Sequence, residues 1–298
     1  MSATGLDLQQ VSGFTVVAEK LNYMRYISHF RSVHRGAYFA ELKTTTVRKL
    51  LPEAWGFFCP VHTPDGAPCG LLNHLAHTCE IITQPIDTSA VLDTLASLGV
   101  SQMVTAPPKI QEGDALTSTL INVQLDGRIV GYCSMKKAED VVKTLRYMKI
   151  KGLYGIPLTL EIGYVPPSTG GQYPGLFLFA EPARMTRPVK YLANGELDMV
   201  GPFEQVYLDI ACMNEDIVPG ATTHMEYNPT NILSIVANMT PFSDFNQSPR
   251  NMYQCQVNEG NPFVSFTHTH TYLYIYIFIH LYPTFKYRWV NKQWERLQ

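Results

Sequence analysis

The residues best equipped for chemistry lie between 241 and 256, PFSDFNQSPRNMYQCQ. Arg250 can meet phosphate oxygens in two-point geometry, the amides around it can read hydroxyls, and Tyr253 offers a stacking face. A strand running into such a polar, arginine-bearing loop would suit phosphate or sugar binding. The same composition also fits a surface turn of Asn, Ser and Pro with one exposed arginine. A second cluster, Cys59, His62, Cys69, His74, His77 and Cys79, has zinc-binding residue types. Structural zinc sites present close cysteine pairs, and this cluster has none. Small cysteines packed in a tight loop, with histidines bonding backbone groups, account for it better. Glu139-Asp140 and Glu215-Asp216 are adjacent rather than convergent, so they read as solvated charges; general acid–base catalysis needs converging groups. No GxxxxGK, GxSxG or HExxH motif occurs.

The elements that must position these residues are mixed in type. Tyr23 to Arg35 reads as a helix with one apolar and one cationic face, stopped by Gly36. Trp55 to Gly70 is dense in Pro and Gly and reads as loop. Asp87 and Thr88 can cap a helix carrying Val91, Leu92, Leu95 and Leu98 and ending at Gly99. Asp126-Gly127 between two apolar runs signals a hairpin. Val141, Leu145 and Met148 recur at helical spacing before Gly152. Leu158 to Val165 and Leu176 to Ala180 read as strands, with the run 166–171 as the loop between them. Thr230 to Met239 fits strand or helix. The expected fold is mixed α+β and multidomain.

Composition narrows the class. With 298 residues the chain has room for about two domains or one large one. Hydrophobic residues make up 46%, enough for a real core and too many for wholesale disorder. The 23 basic and 25 acidic residues give a net charge of -2, so no global positive field recruits nucleic acid and any such contact must be local. Six cysteines without framework spacing point to a reducing compartment. Asp7 and Glu19 interrupt the N-terminal region, where no secretory h-region is visible. Tyr272 to Tyr282 is apolar but well short of the ~20 residues of a spanning helix, so no membrane partner is expected. No basic cluster reads as a nuclear import signal; nuclear entry would be with partners.

Several motifs together carry a resemblance. MTPFSDFNQSPRNMYQCQ, WGFFCPVHTPDGAPCGLLNHL, RYISHFRSVHRG with TTTVRKLLPEAWG, and YPGLFLFAEPARMTRPV resemble the second-largest subunit of multisubunit RNA polymerases, in the RNA polymerase I form. The similarity runs from about Gly5 to Gln256. It implies a fork domain over 1–80, external domains over 81–222, and the start of a hybrid-binding double-psi β-barrel domain over 223–256. By the same resemblance, Arg250 approaches the phosphates of the incoming nucleotide and Tyr253 lies in that site. Arg48, Asp65 and Gln247 support it, with Asp65 standing where the family motif has Glu. The implied function is a share in ribosomal RNA synthesis by DNA-directed RNA polymerase I, a nucleotidyltransferase of the nucleus and nucleolus. The implied partners are the largest and other subunits, template DNA, nascent RNA and ribonucleoside triphosphates. The implied cofactor is Mg2+ held by the largest subunit, with no metal held by this chain. The other reading is a catalytically silent truncated product that at most binds polymerase partners.

Beyond Gln256 the resemblance stops. Gln-Val is what CAG-GTN encodes, and the Thr-His and Tyr-Ile repeats that follow can be read from ACAC and TATA repeats. Residues 257–298 are therefore expected to be translated intron. Tyr272 to Tyr282 alternates aromatic and β-branched residues without charge, Pro or Gly, so it is expected to lower solubility relative to a chain ending at Gln256.

Overall fold

Asn22 opens the first helix by accepting the Arg25 amide on its side-chain oxygen at 2.7 Å, and α1 (Tyr23–Phe30) follows. The expected helix to Arg35 is not formed. After Phe30 the chain turns into a strand, β1 (Ser32–His34), antiparallel to β2 (Leu72–His74). Tertiary bonds set this stop: Arg31 Nη2 donates to the Ala76 and Cys79 carbonyls at 2.7 and 3.1 Å. The Leu75 amide bonds the Arg31 carbonyl in return, at 2.9 Å. A short α2 (Ala37–Glu41) comes next. The computed structural model describes residues 15–102, 120–167 and 173–260.

Two compact units result: Met1–Cys79 with Asn228–Gln298, and Glu80–Tyr227. In the first, Met24, Cys59, Val61, Val236, Ala237, Met239 and Cys255 form a buried cluster. Thr230 to Met239 is neither the strand nor the continuous helix its apolar run allowed. It forms two 3-10 turns, Pro229–Ile232 and Ala237–Met239. The Asn228 side chain accepts the Thr230 amide and Ser234 Oγ accepts the Ala237 amide, so local side-chain bonds win over the ladder. The last described element is α6 (Ser248–Gly260).

The second unit begins with β3 (Glu80–Ile81), α3 (Ser89–Ser97) and β4 (Ser101–Gln102). The Asp87 carboxylate accepts the Ser89 amide at 3.0 Å, so the expected cap is made by Asp87 and not by Thr88. Strands β5 (Leu120–Leu125) and β6 (Arg128–Ser134) form the expected hairpin, with Asp126 at φ 48 and Gly127 at φ 81. Helix α4 (Met135–Lys151) ends at Gly152 in the left-handed conformation. β7 (Glu161–Val165) starts three residues later than expected, because the Leu160 amide closes a turn onto the Pro157 carbonyl. With β8 (Gly175–Phe179) these make a sheet of order β4-β6-β5-β8-β7, and α3 and α4 pack Val91, Leu95, Val141 and Leu145 against it.

A second sheet joins β9 (Met185–Tyr191), β10 (Leu197–Val200), β11 (Ile210–Ala211) and β12 (His224–Glu226), with β3 also on β9 and the short α5 (Pro202–Gln205) after β10. Its inner face meets α4 through charge. Arg146 contacts Asp198 at 2.6 Å and Glu204 at 2.9 Å, and the fully buried Lys149 contacts Asp198 at 2.8 Å. Burial alone would raise the Asp198 pKa, but Lys149, His224 and Arg146 hold it well below the usual range. No described helix is long and apolar enough to cross a membrane.

Removing one partner of a buried ion pair leaves the other uncompensated, at about 3–5 kcal/mol. Asp198→Ala should therefore lower the unfolding free energy by about that amount in urea titration. Lys151→Ala, which breaks the solvent-exposed pair with Glu196, should leave the urea midpoint unchanged.

Candidate nucleotide and nucleic-acid surface

Pro249 sits in the first turn of α6, where a missing N–H costs nothing, so the expected polar loop is a helix instead. Asn251 fixes its start: Nδ2 donates to the Ser243 carbonyl at 2.9 Å, and its amide reaches the Gln247 carbonyl at 3.1 Å. Asn251, Cys255, Asn258 and Glu259 are buried. Arg250, Tyr253 and Val257 recur at i, i+3 and i+7 and are exposed, so they share the outward stripe. The Arg250 guanidinium makes no ion pair or hydrogen bond among the described residues. Gln247, just before the helix, is also exposed.

The inward face is anchored by a polar knot. His62 bonds Ser234 Oγ through Nδ1 at 2.7 Å and Glu259 Oε1 through Nε2 at 2.9 Å. Arg25 Nη1 donates to the other Glu259 oxygen at 2.6 Å, and Asn22 Nδ2 donates to the Asn258 carbonyl at 2.8 Å. Burial favours protonation of Glu259, yet His62, Ser28 and Arg25 hold its pKa down to about 2. His74 donates Nδ1–H to the His62 carbonyl at 3.1 Å, and its ring stacks on His62 with centroids 3.6 Å apart and 5° between planes. Burial, then the neighbouring His62, lowers the His74 pKa to about 3. Asn258 and Glu259 lie past the Gln256 boundary at which the resemblance stops, yet they are buried parts of α6. The rest of the expected intron-derived stretch, 261–298 with Tyr272 to Tyr282, lies outside the described residues.

His62, His74 and Glu259 offer one metal-ligand atom each within 4.8 Å of one another. Ring-nitrogen lone pairs lie in the ring plane, and these two planes are parallel. One ion therefore cannot sit in both planes, and Arg25 already occupies the carboxylate. The trio fits a hydrogen-bonded knot and does not fit a metal centre as arranged. Cys59 and Cys79 are buried and form no disulfide.

Arg48 and Asp65 serve the neighbouring loop. Arg48 Nη1 donates to the Ala67 and Cys69 carbonyls at 2.6 and 2.8 Å. The Asp65 carboxylate is exposed and accepts the Gly66 amide at 2.8 Å. Gly70 has φ +75, and a Cβ there would lie 2.4 Å from the Arg48 carbonyl oxygen.

Residues 16–81 match the family model described as RNA polymerase Rpb2, domain 3, and 130–187 match RNA polymerase I, Rpa2 specific domain. Over 271 residues the chain is 60% identical to DNA-directed RNA polymerase I subunit RPA2 of Neurospora crassa, covering 90% of this chain and 21% of that protein. This chain is a relative of RNA polymerase I subunit RPA2. It is also 64% identical over 268 residues to the probable RPA2 of Schizosaccharomyces pombe, covering 86% of this chain and 22% of that one. To the human subunit it is 47% identical over 270 residues, covering 89% and 23%. The chain thus spans about a fifth of the length of these RPA2 relatives. The Rpb2-type match takes in Arg31, Arg48, Asp65, His62 and His74, and the Rpa2-specific match takes in Arg146 and Lys149.

Sequence reasoning missed the anchors. Arg31 passed as one cation among several in an aromatic helix, and nothing local distinguished it. Arg146 and Lys149 did carry a signal: each directly follows an apolar stripe residue of α4, Leu145 and Met148, where an unpaired cation would be costly.

Two outcomes follow from this geometry. His74 is neutral in the fold at a pKa of about 3 against an ordinary 6.5, so its contribution is complete above pH 6.5 and falls away as pH drops toward 3. Glu259 acts in the same direction, its share being complete above 4.5 and lost toward 2. Urea unfolding should therefore show about 2 kcal/mol less stability at pH 5 than at pH 7. His74→Phe should lower stability at pH 7 and flatten that slope, and an unchanged slope would remove His74 as its source. Gly70→Ala should cost about 2 kcal/mol or more, because it combines a strained φ with a backbone clash.

Proposed function

We propose that the chain acts as part of a DNA-directed RNA polymerase I, in the manner of the RPA2 subunits it resembles. In this reading residues up to about 80 belong to the fork, 81–222 to the external domains, and 223–256 to the start of the hybrid-binding double-psi β-barrel. The supporting observation is the α6 stripe: an uncommitted guanidinium and a phenol one turn apart, on a helix fixed from behind by buried bonds.

The chemistry such a stripe can perform is electrostatic. As phosphoryl transfer proceeds, negative charge builds on the triphosphate oxygens. A guanidinium already aimed at them, with no competing partner to leave, stabilises that charge without reorganising. Arg250 can span two oxygens where an ammonium would meet one. Tyr253 supplies a flat surface beside it, and Gln247 an amide at the same end of the helix. Arg48 reaches two carbonyls of the 63–70 loop, so its role here is to hold that loop rather than to face a phosphate. Mg2+ held by the largest subunit would supply Lewis-acid stabilisation of the charge that builds during transfer. We assign the protein to the nucleus and nucleolus, with the other polymerase subunits, template DNA, nascent RNA and ribonucleoside triphosphates as partners.

Placed in a full-length subunit within assembled enzyme, Arg250→Ala should slow single-nucleotide addition by a factor on the order of 10²–10³, with the thermal midpoint unchanged. Arg250→Lys should recover part of the loss. Wild-type addition rates in the alanine variant would return Arg250 to a surface-turn role. The isolated chain should not extend an RNA primer on a DNA template. Among the described residues no cluster of carboxylates flanks Arg250 to hold a catalytic metal.

A further inference from the structure

The second sheet of the Glu80–Tyr227 unit has an outer face that the functional reading does not use. On its inner face Val189 pairs in register with Asp198 and Glu226, all buried. One residue along, Lys190 pairs with Leu197 on β10 and with Met225 on β12. Because side chains alternate across a strand, Leu197, Lys190 and Met225 form a row on the opposite face. That row lines a groove of about 600 Å³ together with Leu158, Tyr227 and Ile150 near the end of α4. Leu158, Leu197 and Tyr227 are 45%, 44% and 63% exposed, so the groove presents apolar side chains to solvent.

Charge selects what the groove can hold. Lys151 lines it too, but its ammonium is paired with Glu196, which keeps it protonated above its usual range. Lys190 is half-buried, and its ammonium has no ion pair or hydrogen bond among the described residues. A cation in the middle of an apolar row, flanked by Leu197 and Met225 on neighbouring strands, is complementary to a carboxylate flanked by two apolar side chains. An extended segment places residues i and i+2 on one face at roughly 7 Å, close enough to the strand spacing of about 5 Å for both apolar side chains to land beside the lysine.

We propose that this groove docks an extended protein segment of apolar-x-Glu-x-apolar pattern, with the glutamate on Lys190. The proposal stands apart from the polymerase reading, since it uses none of the α6 stripe.

The test is fluorescence anisotropy of the full chain with a fluorescein-labelled Phe-Thr-Glu-Thr-Leu peptide and its twin with glutamine in place of glutamate. The glutamate peptide should bind saturably and about 3- to 10-fold more tightly than its twin. Lys190→Ala should erase that difference while leaving the glutamine peptide unaffected. Leu197→Asp, at an exposed position, should abolish binding of both peptides without moving the thermal midpoint. Absence of saturable binding, equal affinity for the two peptides, or indifference to Lys190→Ala or Leu197→Asp would each overturn the proposal.

Discussion

A carboxylate removed from water must be met by charge and hydrogen bonds, and both units of this chain are organised around that requirement. Asp198 and Glu259 are each buried and each is approached by more than one donor. The desolvation of either would cost several kcal/mol if unanswered. The fold answers it with residues distant in sequence: Arg25 and His62 reach Glu259, and Arg146 and Lys149 reach Asp198. Geometry that specific admits few alternative arrangements.

The same requirement produces the candidate site by exclusion. Once Asn251, Cys255, Asn258 and Glu259 are turned inward, helical periodicity leaves Arg250, Tyr253 and Val257 nowhere to face but outward. An arginine placed this way keeps its donors uncommitted, whereas Arg31, Arg25 and Arg48 have theirs committed to carbonyls or carboxylates. Among the described arginines of the Met1–Cys79 and Asn228–Gln298 unit, Arg250 and the exposed Arg35 are therefore the ones equipped to meet an outside anion. Commitment of side-chain donors, rather than charge, separates the structural arginines from the candidate functional one.

Local signals were readable in the sequence where a single residue dictates the backbone. Asp126-Gly127 made its hairpin because both positions need positive φ, and Gly152 ended α4 because only a residue without Cβ adopts the left-handed region freely. Readings failed where a distant group decided. The helix from Tyr23 stopped early because Arg31 is claimed by carbonyls more than forty residues away. The segment around Arg250 read as loop because Asn, Ser and Pro are common in turns, while a proline in the first helical turn and an inward Asn251 made it helix. The candidate residues were singled out through several long motifs, but their exposure and the bonds behind them were not legible.

The WGFFCPVHTPDGAPCG stretch shows why motif and mechanism should be kept distinct. Its residues have the density expected of a binding loop, yet the bonds they make tie it to itself, to the flanking segments and, through His62, to Ser234 and Glu259. Thr63 Oγ1 donates to the Leu72 carbonyl at 2.8 Å and accepts the Gly70 amide at 3.0 Å. Arg48 closes the loop from outside, and Gly70 is required because the Arg48 backbone occupies the space a Cβ would need. The spacing of Thr63, Gly70 and Arg48 is therefore fixed by the path of the chain. It would be the same whatever ligand, if any, lay beyond Asp65. A substitution that keeps the loop closed, such as the Asp65 in place of the family's Glu, is then compatible with the fold, because the exposed carboxylate bonds only the adjacent Gly66 amide.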